Sequence, residues 1–280
     1  MYEHRAIDHP FLPHVLEYIR SQLELINKFT EEPDTHNLDP GELATRYGER
    51  VVGTFPLLRS IHEASRDVAF LATHDSVGSA YVLGRALVER AINYCFLLSC
   101  DQEDYLKWVR HSRQKAFRLL ERSRRAGEAS FRFGINHIPD PSEVPGLEED
   151  LRLFTSKKGR EISRWTRLSL EDRVKLTEDR TPNFGKQALW LLAGLAAVYD
   201  IGSEAVHGTL YGVGFTFGLY ERGKSSKTGQ ISILLGAAAF TLNAVLTALG
   251  IASKHDDIVE TSIFNLKAMV QNISPHLHNE

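Results

Sequence analysis

Two rows of polar residues stand out against apolar surroundings. Arg85, Glu89 and Asn93 lie four apart, as do Tyr199, Ser203 and His207. On a helix, side chains at that spacing stack along one face. Polar groups on a buried face must be hydrogen-bonded or they cost kilocalories. The spacing therefore predicts that the two rows face each other, with Arg85 paired to Glu89 and Ser203 and His207 completing a network. In that arrangement His207 is a catalytic acid or base, since imidazole titrates near neutrality, and Glu89 orients it. Arg85 holds an anionic group bidentately, with Ser203, Tyr199 and Asn93 as further binding groups. The competing reading is a satisfied network that only sets helix register.

Metal chemistry is not expected. Glu89, His207 and Asp200 offer oxygen and nitrogen donors, but Arg85 opposes a cation, and no HExxH helix is present. No Walker A sequence, dinucleotide fingerprint or nucleophile elbow occurs either, so no cofactor is expected.

A second constellation is basic. Lys107, Arg110, Arg113, Lys115, Arg118, Arg122, Arg124, Arg125 and Arg132 share one segment, opposed by Glu121 and Glu128. Arg110, Arg118, Arg122 and Arg125 follow helical spacing, the form of a phosphate-tracking surface for RNA. A solvated helix face is the plainer alternative. Tyr105, Trp108, Phe117, Trp190 and Tyr199 are expected to be core aromatics.

The elements that must position these groups read as helices. The chain has 280 residues, 42% hydrophobic and 25% charged, with net charge −3. That is globular composition, with no global field favouring nucleic acid or membrane. Apolar stripes predict helices over 13–30, 56–73 and, after a capping Asp75, through Ser99. Asp39-Pro40-Gly41-Glu42 starts another, to about Val52. A helix from Asp101 or Asp104 is expected to run to about Arg125, followed by a loop over 127–146. Shorter helices follow over 147–154 and from Ser169 to Leu176, then a long one over 187–207. Gly208 to Gly223 alternates glycines with aromatics and reads as irregular chain packed on the bundle. Helices over 228–253 and 256–273 close the chain. No convincing β-sheet is expected. The fold class is all-α, a single-domain bundle of about eight to ten helices.

Ile231 to Ser253 carries no charge and is long enough to span a bilayer. Its Ser232, Thr241, Asn243 and Thr247, and its lysine flanks on both sides, favour a core helix. Cys95 and Cys100 read as reduced core thiols, and the N-terminus lacks a signal-peptide core. A cytoplasmic protein without membrane attachment is expected, and a homo-oligomer is compatible.

Arg85-x-x-x-Glu89, then Trp165 followed by Leu168-Ser169, then Tyr199 with Ser203-x-x-x-His207-Gly208, resembles a family of uncharacterised bacterial helical proteins. The likeness covers about residues 70–255. It implies a helical fold and a site at Arg85, Glu89, Ser203 and His207, and brings no known reaction. Arg132-Phe-Gly-Ile-Asn-His137 more weakly resembles the ribonuclease motif of HEPN-domain toxins, but falls in a Gly/Pro-rich stretch and is not taken as the catalytic site. The expected function is binding of a small anionic ligand or nucleotide in a regulatory or defence role. The alternatives are a metal-independent ribonuclease of stress or phage defence, and a structural interaction protein.

Overall fold

A computed structural model describes residues 10–30, 40–134, 138–209, 211, 212, 214 and 227–277. It is predominantly helical, and its contacts group into two compact units. One comprises Met1–Ser99 and Leu170–Glu280, the other Cys100–Ser169.

The larger unit is built around α11 (Lys227–Ser253). Its apolar residues continue right round the helix, so it can only be stable when covered on most sides. The helices α1 (Leu12–Thr30), α4 (Phe55–Thr73), α5 (Val77–Ser99), α9 (Gly185–Gly194) and α12 (Asp256–Leu277) supply that cover. Of its most apolar window, 72% is buried inside the protein. One of the polar groups it carries inward links three helices. Asn243 Nδ2 donates to Ser262 Oγ at 2.8 Å, and Ser262 Oγ donates to Gln22 Oε1 at 2.7 Å, tying α11, α12 and α1 together. Cys95 and Cys100 are buried thiols, and Cys95 Sγ is directed at the carbonyl of Ala244.

Helix ends follow local chemistry, with some departures. The helix expected over 39–52 is interrupted. Gly48, at φ 89°, separates α2 (Pro40–Tyr47) from α3 (Glu49–Gly53), because only glycine enters that region without a Cβ penalty. Asp75 is not the cap of α5. It occupies a left-handed turn at φ 65°, and its carboxylate pairs with Lys227 Nζ. The helix from Leu170 extends to Arg180 (α8), past the expected end at Leu176. After α9 the helix continues through a π-helical stretch, Leu195–Tyr199, into α10 (Asp200–Val206).

The smaller unit departs most from expectation. Helix α6 (Gln102–Leu119) starts where Asp101 accepts a hydrogen bond from the Asp104 N–H at 2.9 Å, but it ends at Leu119 rather than near Arg125. Residues Glu121–Ala126 (β1) and Ala129–Gly134 (β2) form an antiparallel hairpin in place of the expected helix end and loop. Gly127, at φ 60°, is the first of two loop residues, the position where a type II′ turn wants glycine. A 3-10 turn (Pro141–Glu143) and α7 (Leu147–Leu153) complete the unit.

Candidate anion-binding site

Helix α5 and the α9–α10 helix do meet, and three contacts fix how. A Cβ built on Gly194 would lie 3.3 Å from Val88 Cγ2, and one on Gly84 would lie 2.7 Å from Val198 Cγ1. One on Gly202 would lie 2.4 Å from the carbonyl oxygen of Tyr81 and 2.8 Å from Arg85 Cβ. As one helix advances from 194 to 202, the other retreats from 88 to 81, so the helices run antiparallel. Glycine at 202 lets the two backbones approach closely.

This register decides which polar groups share a site. Arg85 lies level with Tyr199 and Gly202, and its guanidinium carbon sits 5.1 Å from the Tyr199 ring centroid. That is a cation–π contact, strengthened where water is partly excluded. The Nε of Arg85 is buried and has no hydrogen-bond partner among the described residues. Ser203, half-buried, lies one turn beyond Tyr199 on the same row. Tyr81, one turn before Arg85, is buried, and burial pushes its phenol well above the usual range, with Tyr211 adding to the shift. The chain after His207 turns back onto α10, since a Cβ on Gly212 would lie 2.4 Å from the Glu204 carbonyl carbon.

The four-residue network expected from the spacing does not assemble. Glu89 lies level with Gly194–Leu195, whereas His207 lies thirteen residues further along the opposite helix, roughly 20 Å away at 1.5 Å per residue. His207 is also about 12 Å along the axis from Tyr199, where the guanidinium sits. It is exposed, because it caps the C-terminus of a seven-residue helix whose buried residue is Gly202. No hydrogen bond or ion pair joins Arg85, Glu89, Ser203 and His207 side chains among the described residues. Asn93 is drawn elsewhere, since its Oδ1 accepts from Arg173 Nη1 on α8. Glu89 and His207 therefore cannot act as one catalytic pair, and the grouping that remains is Arg85, Tyr199 and Ser203. Spacing alone could not find Tyr81, but Gly202 inside an apolar helix was a readable sign of close approach.

In the smaller unit, three of the four predicted RNA-contacting arginines are engaged within the fold. Asp150 is fully buried, and accepts from Arg110 Nε at 2.6 Å and from Arg113 Nε. Glu149 adds a second partner for Arg110 at 3.0 Å. Arg118 donates to Gln114 Oε1 and to Thr155 Oγ1, each at 2.7 Å. Arg122 and Arg125 belong to β1, not to the face of α6. Arg122 pairs with Glu161 at 3.1 Å, and the hydrogen bond from Lys115 to that carboxyl holds it below the usual carboxylate range. Arg125 reaches only the Gly127 carbonyl and stays exposed. Arg132 pairs across the hairpin with Glu121 at 2.8 Å, and His137 lies outside the described residues.

A family of unknown function, DUF5677, matches residues 51–219, more than half of the chain. The chain belongs to that family. The match contains α4, α5, the whole smaller unit and the α9–α10 helix, so both polar rows lie within it. It begins earlier than the expected likeness, at residue 51 rather than 70, and it stops before α11. The DUF5677 match brings no HEPN assignment to the Arg132 segment. No curated protein and no solved structure matches the chain.

Proposed function

We propose that this DUF5677 protein binds a small anionic ligand, a phosphate- or carboxylate-bearing molecule such as a nucleotide, at Arg85, in a regulatory or defence role. One observation carries the reading: a partly buried guanidinium stacked on Tyr199 whose Nε has no acceptor among the described residues. A buried donor left without a partner costs about 1–3 kcal/mol. An oxyanion from outside would recover that cost and use the planar fork of the guanidinium. The Tyr199 ring lies against it, and Ser203, one turn along the same row, offers a hydroxyl for a further contact. The ribonuclease reading is weaker, because its acid/base residue, His207, stands without Glu89.

The test is a thermal-shift and calorimetric panel of inorganic phosphate, AMP, ATP and citrate at low ionic strength. A binder present at a hundredfold its Kd should stabilise the protein by about 2.7 kcal/mol. Arg85→Met keeps the stem, removes the fork and should erase that gain, while leaving the unliganded melting temperature unchanged or higher. A fall of several degrees in unliganded Arg85→Met would assign the residue to the fold. Absence of a shift with every anion would also overturn the proposal.

A further inference from the structure

The hairpin of the smaller unit carries a feature that neither the family match nor the Arg85 site uses. Phe131 is 66% exposed and Phe133 62% exposed. Side chains on a strand alternate faces, and directly opposed residues share a face. Arg124 is opposite Phe131, and Arg122 is opposite Phe133. These four side chains therefore form one face, with each aromatic ring beside a guanidinium. The other face carries Arg125 and Arg132, so cations flank the ribbon on both sides. Arg124 bonds only to the neighbouring Ser123 carbonyl, at 3.1 Å, and has no carboxylate partner among the described residues. Beside β1 is a cleft of about 380 Å³, whose lining includes Arg118, Arg122 and Arg124 together with Glu121 and Glu161.

The charge of the unit points the same way. Cys100–Ser169 holds fifteen Lys and Arg against eleven Asp and Glu, net +4, within a chain of net charge −3. The rest of the chain is thus −7, and the positive charge is concentrated where the exposed rings are. Acidic neutralisation on the hairpin is confined to Glu121, Glu128 and the Glu161 that holds Arg122.

We propose that the β1–β2 hairpin is a docking platform for single-stranded nucleic acid, with bases stacked on Phe131 and Phe133 and the phosphate backbone held by Arg124, the arginine of this face that no carboxylate neutralises among the described residues. Aromatic rings bind unstacked bases without sequence preference, and arginines track the backbone. Residues two apart on a strand are separated by about 6.6 Å, so each ring has room for its own base. A duplex hides the base faces these rings need. An anionic membrane is a poorer fit, because the hairpin tip, Ala126-Gly127-Glu128-Ala129, offers no bulky apolar group and presents a carboxylate. A second copy of the chain would bring like-charged ribbons together.

The experiment is fluorescence anisotropy of the full-length protein with a labelled mixed-sequence 12-nucleotide RNA, the matching single-stranded DNA, and the RNA duplex, at about 50 and 200 mM salt. Single strands should bind, more weakly at the higher salt, and the duplex should bind at least tenfold more weakly. The RNA and DNA arms show whether the 2′-hydroxyl is used. Phe131→Ala/Phe133→Ala should weaken binding at least tenfold with an unchanged salt slope. Arg124→Glu should weaken it and flatten the slope. All three side chains are exposed, so the melting temperature should stay constant and separate lost binding from lost folding. No binding at 50 mM salt, equal affinity for the duplex, or indifference to the double substitution would overturn the proposal. So would loss of a dimer, or of binding to phosphatidylserine vesicles, as the only effect of removing the rings.

Discussion

Replacing Gly202 by alanine tests both the helix crossing and the site it creates. Inside a helix, Gly→Ala ordinarily stabilises by about 1 kcal/mol, because the unfolded chain loses freedom. At Gly236, where a Cβ would meet nothing within 4 Å, that gain should appear in full. At Gly202 the new methyl would lie 2.4 Å from the Tyr81 carbonyl oxygen and 2.8 Å from Arg85 Cβ. An ordinary van der Waals contact begins at 3.4 Å, so α5 and α10 must part by about 1 Å. Neither clashing atom can rotate away, since one is backbone and the other a Cβ. Overpacking of this kind costs about 1–3 kcal/mol, and it also disturbs the Arg85–Tyr199 stack. The net effect at Gly202 is therefore a loss of up to about 2 kcal/mol, after the propensity gain is subtracted. For a unit of this size each kcal/mol moves the melting temperature by about 2–4 °C. Calorimetric or urea unfolding should place Gly236→Ala a few degrees above the parent and Gly202→Ala several degrees below. Gly84→Ala, which meets a Val198 side-chain methyl at 2.7 Å and no backbone atom, should fall between them. Gly202→Ala should also lose any anion-dependent shift. A Gly202→Ala protein that gains as much stability as Gly236→Ala would refute the close crossing, and with it the placement of Arg85.

Asp150→Ala should destabilise the smaller unit by about 2–3 kcal/mol, because it strands Arg110 and Arg113 against each other, the effect tempered by their partial exposure; urea unfolding measures it. Ser262→Ala removes the donor to Gln22 and the acceptor of Asn243, and should cost about 1–3 kcal/mol on the same assay, whereas replacement by threonine, which keeps the hydroxyl, should cost less. Acid should loosen the smaller unit in two stages. Burial, with Lys115 adding to it, holds His111 below its ordinary 6.5, so the unfolded chain takes up the proton more readily, and stability should fall as pH drops through that value. Glu161 is depressed by its bond to Lys115, so its contribution is complete above 4.5 and should vanish as pH falls through its lower folded value. Stability measured against pH should lose the upper stage in His111→Phe and the lower one in Glu161→Gln.

Much of the helical layout can be read from apolar spacing, since a buried stripe is a local pattern. The stretches over α1, α4, α5 and α12 show it, α11 is legible instead as an uncharged run that is apolar on all sides, and Asp101 marks a boundary by chemistry that acts within a few residues. The hairpin could not be read this way. Its strands are exposed along nearly their whole length, so there is no inward face to imprint a two-residue alternation, and Arg-rich sequence imitates a solvated helix. The basic run is equally ambiguous alone. Only the fold shows that Arg110 and Arg113 turn inward to Asp150 while Arg124 faces solvent.

The polar rows mark the same boundary between local and global information. A spacing of four residues is enough to align Arg85 with Glu89, and Tyr199 with Ser203 and His207, each along its own helix. It says nothing of the direction in which one helix crosses the other. Antiparallel packing through Gly202 sets Arg85 against Tyr199 and carries Glu89 and His207 off in opposite directions. That choice depends on which surfaces of separate segments fit at close range, and no single segment contains it.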